Sequence, residues 1–253
     1  TSVATVSLNN DKTEGTVTWV AAGSGNNNGS ATITVTAAAT DQYNAKSVEY
    51  AVTTVKGSST TTVKDGSNAV ANSTSTIVSG TYGTNKTLTA TCSSGATPTV
   101  ASGTTGVATA SITNGTITLT PVKSGDSVIT VTCPATTTKK SSTSTFTYRV
   151  ARATGSTTLS STSSTLTYNG TSAASTTNTF TAKCADGVKP TATSSNTSAA
   201  TVAVSTSADS NGNYTITNTW VAAGSGDNNG SATITVSCAA GDHYAASSAA
   251  HAL

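Results

Sequence analysis

The sequence predicts an all-β protein made of tandem antiparallel β-sandwiches, the first of them incomplete. Three observations carry that expectation. Apolar residues alternate with threonine at period two, the sequence repeats about every 100 residues, and each whole repeat holds two cysteines.

The alternation has to be weighed against composition. Of 253 residues, 59 are Thr and 38 are Ser, only 9% are charged, and the formal net charge is +2. So much Ser and Thr would suit a disordered stalk, but compositional disorder also calls for high net charge, which is lacking. In strands, threonine has a better use. Its β-branch favours extended backbone, and its hydroxyl stays hydrated on the outer face. Only short tracts between repeats, such as Lys56 to Ala71, remain candidates for disorder. No apolar run is long enough for a membrane span in this segment, and no basic patch suggests nucleic acid. The sequence opens without an initiator Met or a signal peptide, and so reads as a mature or excised segment.

The repeat is visible by eye. WVAAGSGNNNGSATITV, starting at Trp19, returns at Trp220 as WVAAGSGDNNGSATITV. Ile-Thr-Val cores begin at Ile33, Ile129 and Ile234, and Val3-Ala-Thr, Val107-Ala-Thr and Ala199-Ala-Thr precede them. These anchors divide the chain into the C-terminal half of a domain at 1–55 and whole domains at 56–152 and 153–253. Half a domain cannot bury a core of its own. Either upstream residues or another chain should supply its missing strands.

Individual strands follow from the alternation. Leu88, Ala90 and Cys92 form one inward face, and Phe180, Ala182 and Cys184 form its counterpart. A later strand presents Ile129, Val131 and Cys133, matched by Ile234, Val236 and Cys238. The last strand presents Val48, Tyr50 and Val52 in the first repeat, and Phe146, Tyr148 and Val150 in the second. About seven short strands per repeat, without a helical period, indicate sandwiches.

Each cysteine sits on an inward face. Four cysteines allow three pairings, and repeat symmetry selects Cys92 with Cys133 and Cys184 with Cys238. Each bridge closes a loop of roughly 40–55 residues, worth about 4 kcal/mol in the chain-entropy description. The first repeat carries Ala37 where the third carries Cys238, so no bridge is expected there. Disulfides imply an oxidising, extracellular or cell-surface location.

At this point a resemblance enters. Val3-Ala-Thr-Val6, Gly15-Thr-Val-Thr and Gly29-Ser-Ala-Thr-Ile-Thr-Val35, followed by Tyr43-Asn-Ala, resemble the pattern of bacterial immunoglobulin-like domains of group 2. That family occurs in bacterial surface adhesins, surface fibres and phage structural proteins. The likeness implies tandem immunoglobulin-like sandwiches on a cell surface rather than a particular ligand. One departure is that the Trp usual before the Val-Ala-Thr element is absent, and Trp19 and Trp220 lie a strand later.

Catalytic chemistry is not expected. The two histidines, His243 and His251, have Gln42 and Tyr50 in their places in the first repeat, and read as ordinary surface positions. The loops Gly23–Gly29 and Gly224–Gly230 are rich in side-chain oxygens, yet hold one carboxylate between them (Asp227) and read as turns rather than calcium sites. Asp209–Asn213 reads as a hairpin turn for lack of a distal Glu. A Lys–Asn isopeptide bond is disfavoured by the near absence of Glu. No metal and no cofactor are expected. Trp19 and Trp220 share the phase of Val17 and Ile216, which points them inward.

The expected function is a structural segment of an extracellular filament or cell-surface stalk. Its expected partners are copies of itself, or further repeats of the same long chain. One alternative is an adhesin module binding a carbohydrate or host protein. Another is a phage decoration or tail-fibre domain.

Overall fold

Period-two alternation is realised as strands throughout, with no helix among the described residues. The structure is a computed structural model, and it describes residues 3–20, 22–23, 25–168, 176–222 and 230–253. Chain contacts divide it into two compact units. One comprises Thr1–Ser79, Asn85–Thr120 and Asp126–Arg149, and the other Gly80–Thr84, Pro121–Gly125 and Val150–Leu253.

The C-terminal sandwich is the simplest to follow. Its strands are β14 (Thr157–Leu159), β15 (Thr177–Cys184), β16 (Thr191–Ser194), β17 (Ala200–Val204), β18 (Tyr214–Trp220), β19 (Thr233–Cys238) and β20 (Ser247–Ala252). One sheet runs β14-β15-β18-β17 and the other β16-β19-β20, with every ladder antiparallel. In immunoglobulin lettering these are A-B-E-D and C-F-G. Phe180, Ala182 and Ile216 from the first sheet pack with Ile234 and Val236 from the second. Burying each large aliphatic or aromatic side chain contributes about 1.5–3 kcal/mol. Cys184 on β15 is joined to Cys238 on β19, linking B to F across the two sheets, with Cα atoms 5.6 Å apart.

The middle sandwich repeats the plan with more strands. They are β5 (Thr61–Asp65), β6 (Asn68–Val70), β7 (Ile77–Thr81), β8 (Lys86–Cys92), β9 (Thr99–Ser102), β10 (Ala108–Thr113), β11 (Thr116–Pro121), β12 (Gly125–Cys133) and β13 (Ser142–Ala151). The sheet orders are β10-β11-β8-β5-β6 and β7-β13-β12-β9. Cys92 on β8 is joined to Cys133 on β12, again across the sheets. The β10–β11 hairpin turns on Asn114-Gly115, both at positive φ (50° and 78°), the pair that a two-residue hairpin loop requires.

The first 55 residues behave differently. β1 (Ala4–Leu8) pairs only with β2 (Gly15–Trp19), and β3 (Gly29–Ala37) only with β4 (Lys46–Thr54). These are D-E and F-G ribbons. No A, B or C strand lies against them among the described residues, so the first sandwich is incomplete.

Two sequence expectations need correction. Lys56 to Ala71 is ordered, not a loose tract. It contains β5 and β6, Val63 is buried, and the Lys56 ammonium donates to Gly25 O and Thr136 O. The Thr-Thr-Val run finds a ladder partner in β8, and pairing there outweighs the polar composition. His251 is not a surface residue either. It is fully buried and stacked on Phe180, with ring centroids 4.0 Å apart.

Candidate interaction surface

The ribbons of residues 1–55 hold the largest set of exposed apolar side chains, and their geometry is set by register. Ala4 pairs with Trp19, Val6 with Val17, and Leu8 with Gly15. In the C-terminal sandwich Ala200 pairs with Trp220, Val202 with Asn218, and Val204 with Ile216. The F-G ladders match as well, with Ile33 opposite Tyr50 and Ile234 opposite His251. The same surface is therefore built twice. What differs is its cover. Val35, Val48 and Tyr50 are 56%, 62% and 64% exposed, whereas Val236 and His251 are fully buried. Leu8 and Trp19 are exposed too.

In the C-terminal sandwich the cover is the A-B-C half. β15 lies along β18, with Phe180 opposite Ile216 and Asn178 opposite Asn218. β16 lies along β19, with Ala192 opposite Val236. A polar chain runs beneath it. Asn218 Nδ2 donates to Asn178 Oδ1 (3.0 Å), and Asn178 Nδ2 donates to Ser164 Oγ (2.8 Å). Ser164 Oγ meets His251 Nε2 at 2.7 Å, and His251 Nδ1 meets Ser161 O at 2.9 Å. A carbonyl can only accept, so Nδ1 carries the hydrogen and Nε2 accepts from the Ser164 hydroxyl. Asn218 Oδ1 is left buried without a partner.

The turns between F and G strands form a second recurring feature. Each is closed by one backbone bond: Thr40 N to Tyr43 O, Thr136 N to Lys139 O, and Gly241 N to Tyr244 O. In the two complete sandwiches the turn also clasps the residue leading into the A strand. Gly57 N donates to Thr138 O and Gly57 O accepts from Lys140 N. Ala153 N donates to His243 O and Ala153 O accepts from Ala245 N. The equivalent groups of the first repeat, Gln42 O and Asn44 N, have no such partner among the described residues.

Neighbouring loops fasten onto these turns. In the first compact unit, Asn26 bonds Ser141 through both Nδ2 (2.7 Å) and Oδ1 (2.6 Å). In the second, Ser124 N donates to Asp242 O, Arg152 Nε donates to Gly241 O, and the His243 ring lies 4.4 Å from that of Tyr82. Asp186 organises this turn, accepting from the backbone N–H of His243 and Tyr244 while Oδ1 meets His243 Nδ1 at 2.8 Å. Burial opposes ionisation of Asp186, but these donors outweigh it and hold the carboxyl below its ordinary range. His243 is thus half-buried in a turn rather than an ordinary surface residue.

The remaining sequence candidates fall as follows. Trp19 lies on the apolar face of its ribbon but stays 40% exposed, because nothing covers that face. Trp220 is half-buried and stacked on Tyr168 (centroids 4.8 Å), lining a groove of about 570 Å³ with Ser164, Ala199, Ser231 and Leu253. Asp209 caps a hairpin turn between β17 and β18, accepting from Asn211 N and Asn213 N. In the loop 23–29, Gly25 adopts positive φ, while the loop 224–230 lies almost wholly outside the described residues. No group of three or more metal-ligating side chains occurs among the described residues, and no helix there is long and apolar enough to cross a membrane.

No protein-family model matches the chain, and no characterised protein matches it in sequence. Among solved structures it is similar to domains 4 and 5 of the S-layer protein SbsC. That match has 22% identity and a TM-score of 0.27, over 61% of this chain and 74% of the other. A titin fragment, Titin-A168169, gives 12% identity and a TM-score of 0.31, over 70% and 93%. An endo-fucoidan hydrolase from glycoside hydrolase family 107 gives 14% and 0.31, over all of this chain and 37% of the enzyme. Likenesses this distant carry nothing about chemistry, ligands or partners.

Proposed function

We propose that the chain is a structural segment of an extracellular filament or cell-surface stalk. In this reading it is built from immunoglobulin-like repeats at 1–55, 56–152 and 153–253, and associates with copies of itself. The observation that carries the reading is the turn clasp. In both complete repeats the residue that enters the sandwich, Gly57 or Ala153, is held by two backbone bonds to an F–G turn. A neighbouring loop then fastens onto the same turn. Links made this way resist bending and leave little slack for proteases, as a load-bearing repeat requires. The disulfides Cys92–Cys133 and Cys184–Cys238 fit an oxidising, extracytoplasmic setting. The reading is non-catalytic.

Electron microscopy of native, non-reduced material tests it. Homogeneous filaments with an axial repeat of one or two domain lengths are expected, and dispersed monomers would sink the idea. Decoration of a capsid or tail would instead select the phage alternative. The adhesin alternative has one observation in its favour, the stacked Tyr168–Trp220 pair beside an uncharged groove. Sugar rings stack on such faces. A glycan-array signal lost in Trp220→Ala would select it.

A further inference from the structure

The uncovered ribbons of residues 1–55 pose a specific question: what fits them? Three independent features give the same answer. The first is edge pairing. β18 lies between β15 and β17, and β19 between β16 and β20, whereas β2 and β3 each have one neighbour and one open edge. The open edges are those where B and C strands sit in the complete sandwich. An open edge is a template for another strand.

The second feature is the apolar face. Val6, Leu8, Val17 and Trp19 on one ribbon, with Val35, Val48 and Tyr50 on the other, are all at least 40% exposed. They occupy the ladder positions that β15 and β16 bury in the C-terminal sandwich. The third is the F–G turn at 40–44. It already has the closing bond found in the other two turns, but its Gln42 O and Asn44 N lack the clasped residue.

We infer that residues 1–55 form a preformed acceptor for a B–C strand pair of this chain's own repeat type, equivalent to residues 176–196. The B strand adds to β2 opposite Gly15–Trp19, following the β15–β18 register. The C strand adds to β3 opposite Ile33–Ala37, following the β16–β19 register. A residue equivalent to Ala153 enters the 40–44 turn. Complementarity is set by near-identity: Trp19–Val35 and Trp220–Val236 differ at a single position, Asn26 against Asp227. The donor is held without a covalent link, because Ala37 replaces the cysteine that fastens the resident B strand in the third repeat. This proposal stands whether or not the chain forms a filament.

The test adds a synthetic peptide of residues 176–196, carrying Cys184→Ala, to the full chain and maps amide hydrogen exchange. Protection confined to β2 and β3, with saturable 1:1 binding, is expected. Val17→Asp, which places a charge on the exposed face, should weaken binding by about tenfold or more. A scrambled peptide should give no protection. Absence of binding overturns the proposal. So does protection of β18 and β19, which would mean exchange with the resident strands. Protection of β2 and β3 that grows with protein concentration alone assigns the face to a second copy, and overturns it too. Should Val17→Asp fail to fold, the exchange map of the unaltered chain decides.

Discussion

Asp186 shows how much one buried carboxylate can organise. It satisfies two backbone N–H groups of the 242–244 turn and orients the His243 ring against Tyr82. Its folded pKa is depressed below the ordinary 3.8, so its contribution to stability is present above that value and lost as pH falls through the folded pKa. Thermal unfolding of the second compact unit should therefore weaken as pH drops below about 3.8, and Asp186→Asn should remove that part of the dependence while lowering stability at neutral pH. Gly241 is required beside it, since a Cβ there would collide with the Asp186 carboxylate. The buried polar chain gives a second expectation. Asn178→Ala strands the Asn218 amide and removes a donor to Ser164, at a cost of about 1–3 kcal/mol by denaturant melts. Neither site was legible in the sequence. His251 stands where the first repeat has Tyr50, and nothing local marks it as stacked under Phe180. Its role depends on Ser161 and Ser164, some ninety residues earlier.

Strands were far more legible than loops, for a physical reason. Period two identifies a face without knowledge of the partner, so Leu88, Ala90, Ile129, Val131, Ile234 and Val236 could be assigned inward, and all six are buried. β5 and β6 escaped notice because Thr61-Thr-Val-Lys-Asp offers only one apolar residue, and its ladder to β8 is a long-range fact. The Asn-rich loops could be read as turns, but their partners, such as Ser141 for Asn26, could not. At this scale the disulfides invite measurement. Thin cores of Val, Ala and Ile depend on them, so replacing Cys184 and Cys238 with Ala should cost about 2–5 kcal/mol in chemical denaturation. The equivalent change at Cys92 and Cys133 should cost slightly less, since its loop is shorter, 41 residues against 54. Gly155→Ala, whose Cβ would strike the Ala245 carbonyl, should cost about 1–3 kcal/mol and loosen the clasp at Ala153.

Across the whole molecule, stability should be distributed unevenly, because single-layer ribbons and two-layer sandwiches bury such different amounts of apolar surface. Nearly every position of β1, β2 and β4 is exposed, whereas β8, β12, β15 and β19 alternate buried with accessible residues. Two-stranded ribbons are marginal in water unless one face packs against something. What holds these ribbons is limited to a few bonds, such as Asn26 to Ser141 and the Lys56 ammonium to Gly25 O. Local opening therefore costs little there, and amide exchange in β1–β4 should outpace that in β8 and β15 by about two orders of magnitude or more. Trypsin offers a parallel reading through lysines placed on both sides of the divide. Lys12 and Lys46 lie among the ribbons, whereas Lys86 sits on β8, paired with Asp65 at 2.7 Å. Brief digestion should cut at Lys12 and Lys46 and leave a stable fragment beginning near Lys56, identified by mass spectrometry. Equal cleavage at Lys86 would mean that the sandwiches are no more stable than the ribbons, contrary to the burial pattern. Because protection of the ribbons depends on cover, any molecule that supplies the missing layer should slow cleavage at Lys46 without changing that at Lys86. That selectivity separates completion of the first sandwich from a general stabilising effect.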